Sequence, residues 1–169
     1  MLVWIFAACT KTVADDSPTD DSSAGAVEHV LVNEFMAANT STIETEEGAF
    51  SDWIELMNIG DEAIDLAGWT ITDDLSAPTK HVLLSQTIQP GGFLILWADD
   101  DEEDEGVGHL SFHLDTTGES IGLYRPDGSA SDTLDFDTQV EDISSARVPD
   151  ASSNWVITDE PTPGTSNGS

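Results

Sequence analysis

The chain has 169 residues, room for one domain and an extended tail, and its 38% hydrophobic content supports a compact core. Against 34 acidic residues stand four basic ones, a net charge of −30, so the surface repels phosphate backbones and anionic headgroups, excluding nucleic acid as a partner. A single cysteine, Cys9, excludes an intrachain disulfide, and any fold must rest on its core.

The chain opens MLVWIFAACTKT: Met1 to Ala8 are apolar, two alanines precede Cys9, and Lys11 follows. This run is shorter than the about 20 residues that span a bilayer, and it reads as the end of a secretory signal. Phe6 to Cys9, FAAC, resembles a bacterial lipoprotein signal, in which a cysteine after small residues becomes lipidated. It departs from that pattern in having Phe6 where leucine is usual and no basic stretch ahead of the apolar run. Residues 1–9 are therefore expected to be signal-like, with Cys9 as the lipidation site. Residues 10–27 are rich in Asp, Ser, Pro and Ala without periodicity, so they predict a disordered acidic tether.

From residue 28 to 169, turn signals recur about every 8–12 residues, the spacing of an all-β sandwich. Nine strands are predicted: His29–Met36, Asp52–Asn58, Gly68–Asp73, Lys80–Leu84, Gly92–Ala98, Ser120–Pro126, Ser131–Phe136, Ser145–Val148 and Asn154–Ile157. No run sustains a helical period. Turns fall at Asn58, Pro90, Pro126 and Pro163, where Gly and Pro punctuate the chain. In DWIELMN, alternation puts Ile54 and Leu56 on one face and Trp53, Glu55 and Met57 on the other, and the acid-free face is the expected core side. In GWTITD, Trp69 and Ile71 share a face, and a short Ile64–Leu66 segment lies in the link between the two strands.

These blocks, together with VNEFMAAN at Val32–Asn39, IQPGGFLILWADD at Ile88–Asp100, HLSFHL at His109–Leu114, SIGLYRPDGS from Ser120 and TDEPTPGTSN at Thr158–Asn167, resemble the lamin-tail domain over nearly all of Val30 to Asn167. The resemblance implies an immunoglobulin-like β-sandwich serving as a binding or scaffold module, found in bacteria in secreted and surface proteins. Nuclear lamins add a coiled-coil rod, a basic localisation signal and a prenylated end. This sequence shows none of these, so filament assembly and chromatin binding are not implied.

Candidate chemistry is sparse. The run DDDEEDE, Asp99 to Glu105, packs carboxylates that calcium would relieve, with Asp99, Asp101 and Glu103 as candidate ligands, though EF-hand spacing is absent. His109 and His113 lie four apart in an extended stretch, too few ligands for zinc and without HExxH. GESIG, Gly118 to Gly122, matches the G-x-S-x-G hydrolase pattern, but Ser120 opens a strand with no helix to follow. No carboxylate pair stands out for glycoside hydrolysis. Trp53, on the acid-bearing face, and Trp155, near the end of the sandwich, are candidate sugar platforms if exposed and core residues otherwise. Asn39-Thr40-Ser41 and Asn167-Gly168-Ser169 are sequons that arise readily by chance.

The sequence thus predicts an all-β sandwich displayed on a bacterial envelope, or secreted, as a non-catalytic binding or scaffold module for an envelope or extracellular protein or glycan. Membrane contact would come only through the lipid, and loops at one end, Asp99–Glu105 among them, would be the contact surface. A calcium-dependent adhesion or glycan-binding module is the alternative, and a secreted hydrolase the third reading; no cofactor beyond that calcium is expected.

Overall fold

The computed structural model describes residues 30–100 and 107–168. Twelve strands follow in order: β1 (Val30–Met36), β2 (Asp52–Asn58), β3 (Ile64–Asp65), β4 (Thr70–Thr72), β5 (His81–Val82), β6 (Thr87–Ile88), β7 (Phe93–Ala98), β8 (His109–Leu110), β9 (Gly118–Tyr124), β10 (Ala130–Asp137), β11 (Ser144–Arg147) and β12 (Trp155–Thr158). No helix occurs among the described residues. Each of the nine predicted strands has a counterpart, and the two-residue strands β3, β6 and β8 are additions.

A six-stranded sheet, ordered β12-β11-β1-β2-β7-β8, lies against a four-stranded sheet, β10-β9-β4-β5, with β3 and β6 forming a small third ladder. All pairs are antiparallel except β7 with β8. The apolar side chains predicted to share a face do so in the core: Ile54 and Leu56 from β2 meet Trp69, Ile71, Ile121 and Leu123 from the facing strands. This is the immunoglobulin-like sandwich, built without a disulfide by burying both inner faces.

β1 does not alternate strictly. A bulge between Val32 and Glu34 shifts its register on β2, so that Val32 opposes Leu56 while Glu34 opposes Glu55 and Phe35 opposes Ile54. The extra residue, Asn33, flips the alternation, turning Phe35 inward with Val30 and Val32 and leaving Glu34 on the outer face. The outer face is not solvated. Trp53, Glu55, Glu34 and Met36 all have 0% exposure there.

The last described residues explain why. Residues 159–168 cross the outer face and bond to its carboxylates. Thr162 donates its backbone N–H (3.2 Å) and hydroxyl (3.0 Å) to Glu34, and Gly164 N–H donates to Glu55 at 2.6 Å. Ser166 and Asn167 both donate to Asp150, and the Asn167 amide bridges the carbonyls of Asn33 and Arg147. Glu34 also accepts the Ser144 hydroxyl at 2.6 Å, and Glu55 accepts the Asn33 amide at 3.1 Å. The PTPGTSN stretch therefore works as a strap whose donors satisfy acids that the strands bury.

Candidate functional site

At one end of the sandwich, β7 runs into Asp99 and Asp100 beside β8. Asp99 Oδ2 lies 2.6 Å from His109 Nδ1, with both side chains largely buried. The other oxygen of Asp99, Oδ1, is buried without a partner. Asp100, Glu47, Thr45 and Ser51 join this pair around a cleft of about 300 Å³. Asp101 and Glu103 lie outside the described residues, as does Cys9. Of the three acids suggested for calcium, the structure thus places only Asp99, which is committed to an imidazole. His113 does not join His109: it is exposed, 4.0 Å from the Asp100 carboxylate. Among the described residues, no three His, Cys, Asp or Glu side chains converge on a metal position.

The G-x-S-x-G match dissolves into packing. Gly118 has φ 104°, and a Cβ there would sit 2.6 Å from the Phe136 carbonyl. At Gly122 a Cβ would meet Leu75 and Tyr124 at 2.8 Å. Gly118 is required by its positive φ and by the β10 backbone, Gly122 sits under the side chains of Leu75, Tyr124 and Thr72, and Ser120 between them donates its hydroxyl to Asp135 on β10 at 2.6 Å. No strand-to-helix turn surrounds Ser120 in β9. The first sequon is likewise internal. Asn39 is buried, donating to the carbonyls of Ile43 and Ser51 and accepting from Thr42, so its amide is the organiser of a loop.

The two tryptophans separate. Trp53 is fully buried on the outer face of β2, so of its two readings the core one holds and its candidacy as a sugar platform is corrected: the acid-bearing face is covered, and no ring face is open to a sugar. Trp155 on β12 is half-buried. The Arg147 guanidinium sits 4.5 Å from its ring centroid, and Phe35 meets it edge-on at 5.6 Å. Arg147 in turn donates to the Val32 carbonyl (2.7 Å), the Ser152 carbonyl (2.6 Å) and the Asp132 carboxylate (2.9 Å).

Beside Trp155 lies a groove of about 240 Å³ that no motif signalled. Its apolar lining is Phe35, Leu134, Phe136, Trp155 and Ile157, with Phe35 and Phe136 at 4.7 Å between centroids. Its position follows from topology. Among the described residues β10 is the edge of the small sheet and β12 the edge of the large one, and both edges flank this opening. The sequence signal was the alternation of Leu134 and Phe136 with Asp135 and Asp137; only the sheet order shows that this alternation lies on an open edge.

The fold agrees with one of three comparisons to known proteins. No curated protein and no solved structure matches the chain. The model of the family described as Lamin Tail Domain matches residues 23–138, more than half of the chain, and takes in β1 through β10. By that match, and by the sandwich that carries it, this chain belongs to the lamin-tail-domain family.

Proposed function

We propose that the chain is a non-catalytic binding module, displayed on a bacterial cell envelope by a lipid on Cys9. One observation carries the binding reading: an apolar, aromatic-floored groove lies between two open sheet edges on a protein whose surface is otherwise strongly acidic. The non-catalytic part is supported by the family, and by a serine and carboxylates bonded within the fold rather than aimed at a shared reacting position. The anchoring part rests on the FAAC tetrad and the acidic linker after it.

Capture tests the binding reading. The full-length chain, immobilised, is exposed to envelope extract, and saturable retention of one protein or glycan is the expected outcome. Ile157→Arg, at a position 70% exposed, should abolish retention without unfolding the domain. Retention of nothing by the parent would leave a spacer. The anchor is tested separately: Cys9→Ser should abolish acyl labelling and release the protein from membranes, and a variant that fractionates like the parent removes the lipid.

A second reading, calcium-dependent adhesion, is favoured by the unpartnered Asp99 oxygen beside Asp100 and Glu47. On that reading chelator at matched ionic strength lowers both retention and Tm. Unchanged values in chelator set it aside.

A further inference from the structure

We infer that the groove takes its partner as an added strand, and that the partner is an extended segment in which basic and apolar residues alternate. The inference deepens the binding reading above and rests on it. The first support is the backbone. β10, Ala130–Asp137, is the longest strand, and its one ladder partner among the described residues is β9. Every second residue of such an edge turns its N–H and C=O away from the sheet. Near its start β10 is closed off by β1, where Ser131 donates to the Val30 carbonyl and Asp132 accepts the Val32 N–H. Thr133 to Asp137 lie beyond these two bonds, with the Asp137 carbonyl taken by the Gln139 side-chain amide at 2.7 Å, and the space between Leu134, Phe136 and β12 is the groove.

The second support is the side chains. Leu134 and Phe136 line the groove, while Asp135 and Asp137 alternate with them and are exposed. A strand laid along β10 places its own alternate residues beside each set, at about 4.5–5.5 Å between Cβ atoms. One set would enter the apolar space against Phe35, Trp155 and Ile157; the other would stand beside two carboxylates. With a net charge of −30 around it, the outer set must be cationic. A second copy of the chain would bring the same charge, which argues against self-pairing. A block of lysines would satisfy the charge and leave the apolar floor wet. An alternating segment satisfies both, and this is strand addition with pockets reading alternate side chains.

The test uses the full-length chain and four blocked octapeptides: alternating Val-Lys, the same residues in two blocks, alternating Val-Glu, and alternating Val-Lys with every second amide N-methylated. Backbone amide shifts locate binding, and titration measures it. The alternating Val-Lys peptide should bind saturably with shifts confined to β10, β12 and Phe35, whereas the block and N-methylated peptides should bind at least about tenfold more weakly. The double variant Asp135→Lys, Asp137→Lys, at exposed positions, should exchange the preference from Val-Lys to Val-Glu at low ionic strength. Equal binding of block or N-methylated peptide, shifts elsewhere, or no binding overturns strand addition. If the groove amides report a neighbour before peptide is added, the occupant is the chain itself and the proposal falls; concentration dependence then marks a second copy, and its absence residues 1–29. Failure here together with Ile157→Arg-sensitive capture from extract would leave the binding module standing and remove only its strand-pairing mode.

Discussion

Arg147→Met is expected to lower stability by about 3–5 kcal/mol, with a fall in Tm of about 10 °C or more. The reason begins at the β1 bulge. β1 pairs with β11 only at Glu34 and Phe35, so the backbone of Val32 has no ladder partner on that side. Side chains replace the ladder: Asp132 accepts the Val32 N–H at 3.0 Å, and Arg147 donates to the Val32 carbonyl at 2.7 Å. The two side chains then bond each other at 2.9 Å, tying the large sheet to β10 of the small one. Met keeps the apolar contact with Trp155 but leaves two carbonyls without donors and a largely buried carboxylate without its cation. Asp132→Asn should cost less, about 1–2 kcal/mol, because an acceptor remains. Urea denaturation of the two variants checks both figures; equal, small losses would mean that the corner is held by packing alone.

The second large effect is on pH. Burial with little compensating charge pushes Glu55 up from an ordinary 4.5 to about 7, despite donors from Asn33 and Gly164. Burial also raises Glu34, Asp52 and Glu119. A carboxyl raised in the folded state keeps its proton when the unfolded chain has lost it. Its contribution is therefore complete below the unfolded value and is lost as pH climbs through the folded one. Stability should thus fall between about pH 4.5 and 7, by about 3 kcal/mol from Glu55 alone at about 1.4 kcal/mol per pH unit. The half-buried ring of His81, lowered by desolvation, pulls the other way below about pH 6.5, one group against four.

On the acid side the signs reverse. Hydroxyl and amide donors from Ser41 and Thr40 hold Asp142 down to about 2, and donors around Asp74, Asp115 and Asp127 hold those acids low. Burial alone would raise Asp150, but Ser166, Asn33 and Asn167 outweigh it and hold it low as well. Their contribution is lost as pH falls below about 4. The expected stability maximum is therefore at about pH 4–5. Glu55→Gln should flatten the limb between about pH 4.5 and 7 by about 3 kcal/mol. An unchanged slope in that variant would place the ionisation elsewhere. Thermal unfolding across pH 3 to 9 at constant ionic strength, roughly the range where these groups titrate, measures both.

The strands were legible because their cause is local: period-two alternation in DWIELMN and GWTITD, with Gly and Pro at the turns, survives folding unchanged. What sequence reading missed is nonlocal. Alternation placed the core side of β2 but could not show that the opposite face, with Trp53 and Glu55, is buried too, because the cover comes from residues 109 positions later, where Gly164 reaches Glu55. PTPGTSN was recognisable as a closing motif, yet nothing in its composition says that its amides seek Glu34 and Glu55. The bulge was equally invisible: strict alternation from Val30 puts Glu34 inside, and only the pairing with β2 shows Asn33 absorbing the extra step. The candidate sites fared likewise. Asp99 was found by its charge, whereas the groove is defined by which strands end the sheets among the described residues, a property of sheet order.

The placement of β1 has a mechanical corollary. Everything that precedes Val30 is joined to the sandwich through a strand in the middle of the large sheet, bonded to β11 on one flank and β2 on the other. A pull arriving from that direction finds no free border at which to start unzipping. Both ladders, the Arg147–Asp132 corner and the carboxylates under the strap resist it together, so the domain should yield to traction abruptly, as one body, rather than strand by strand.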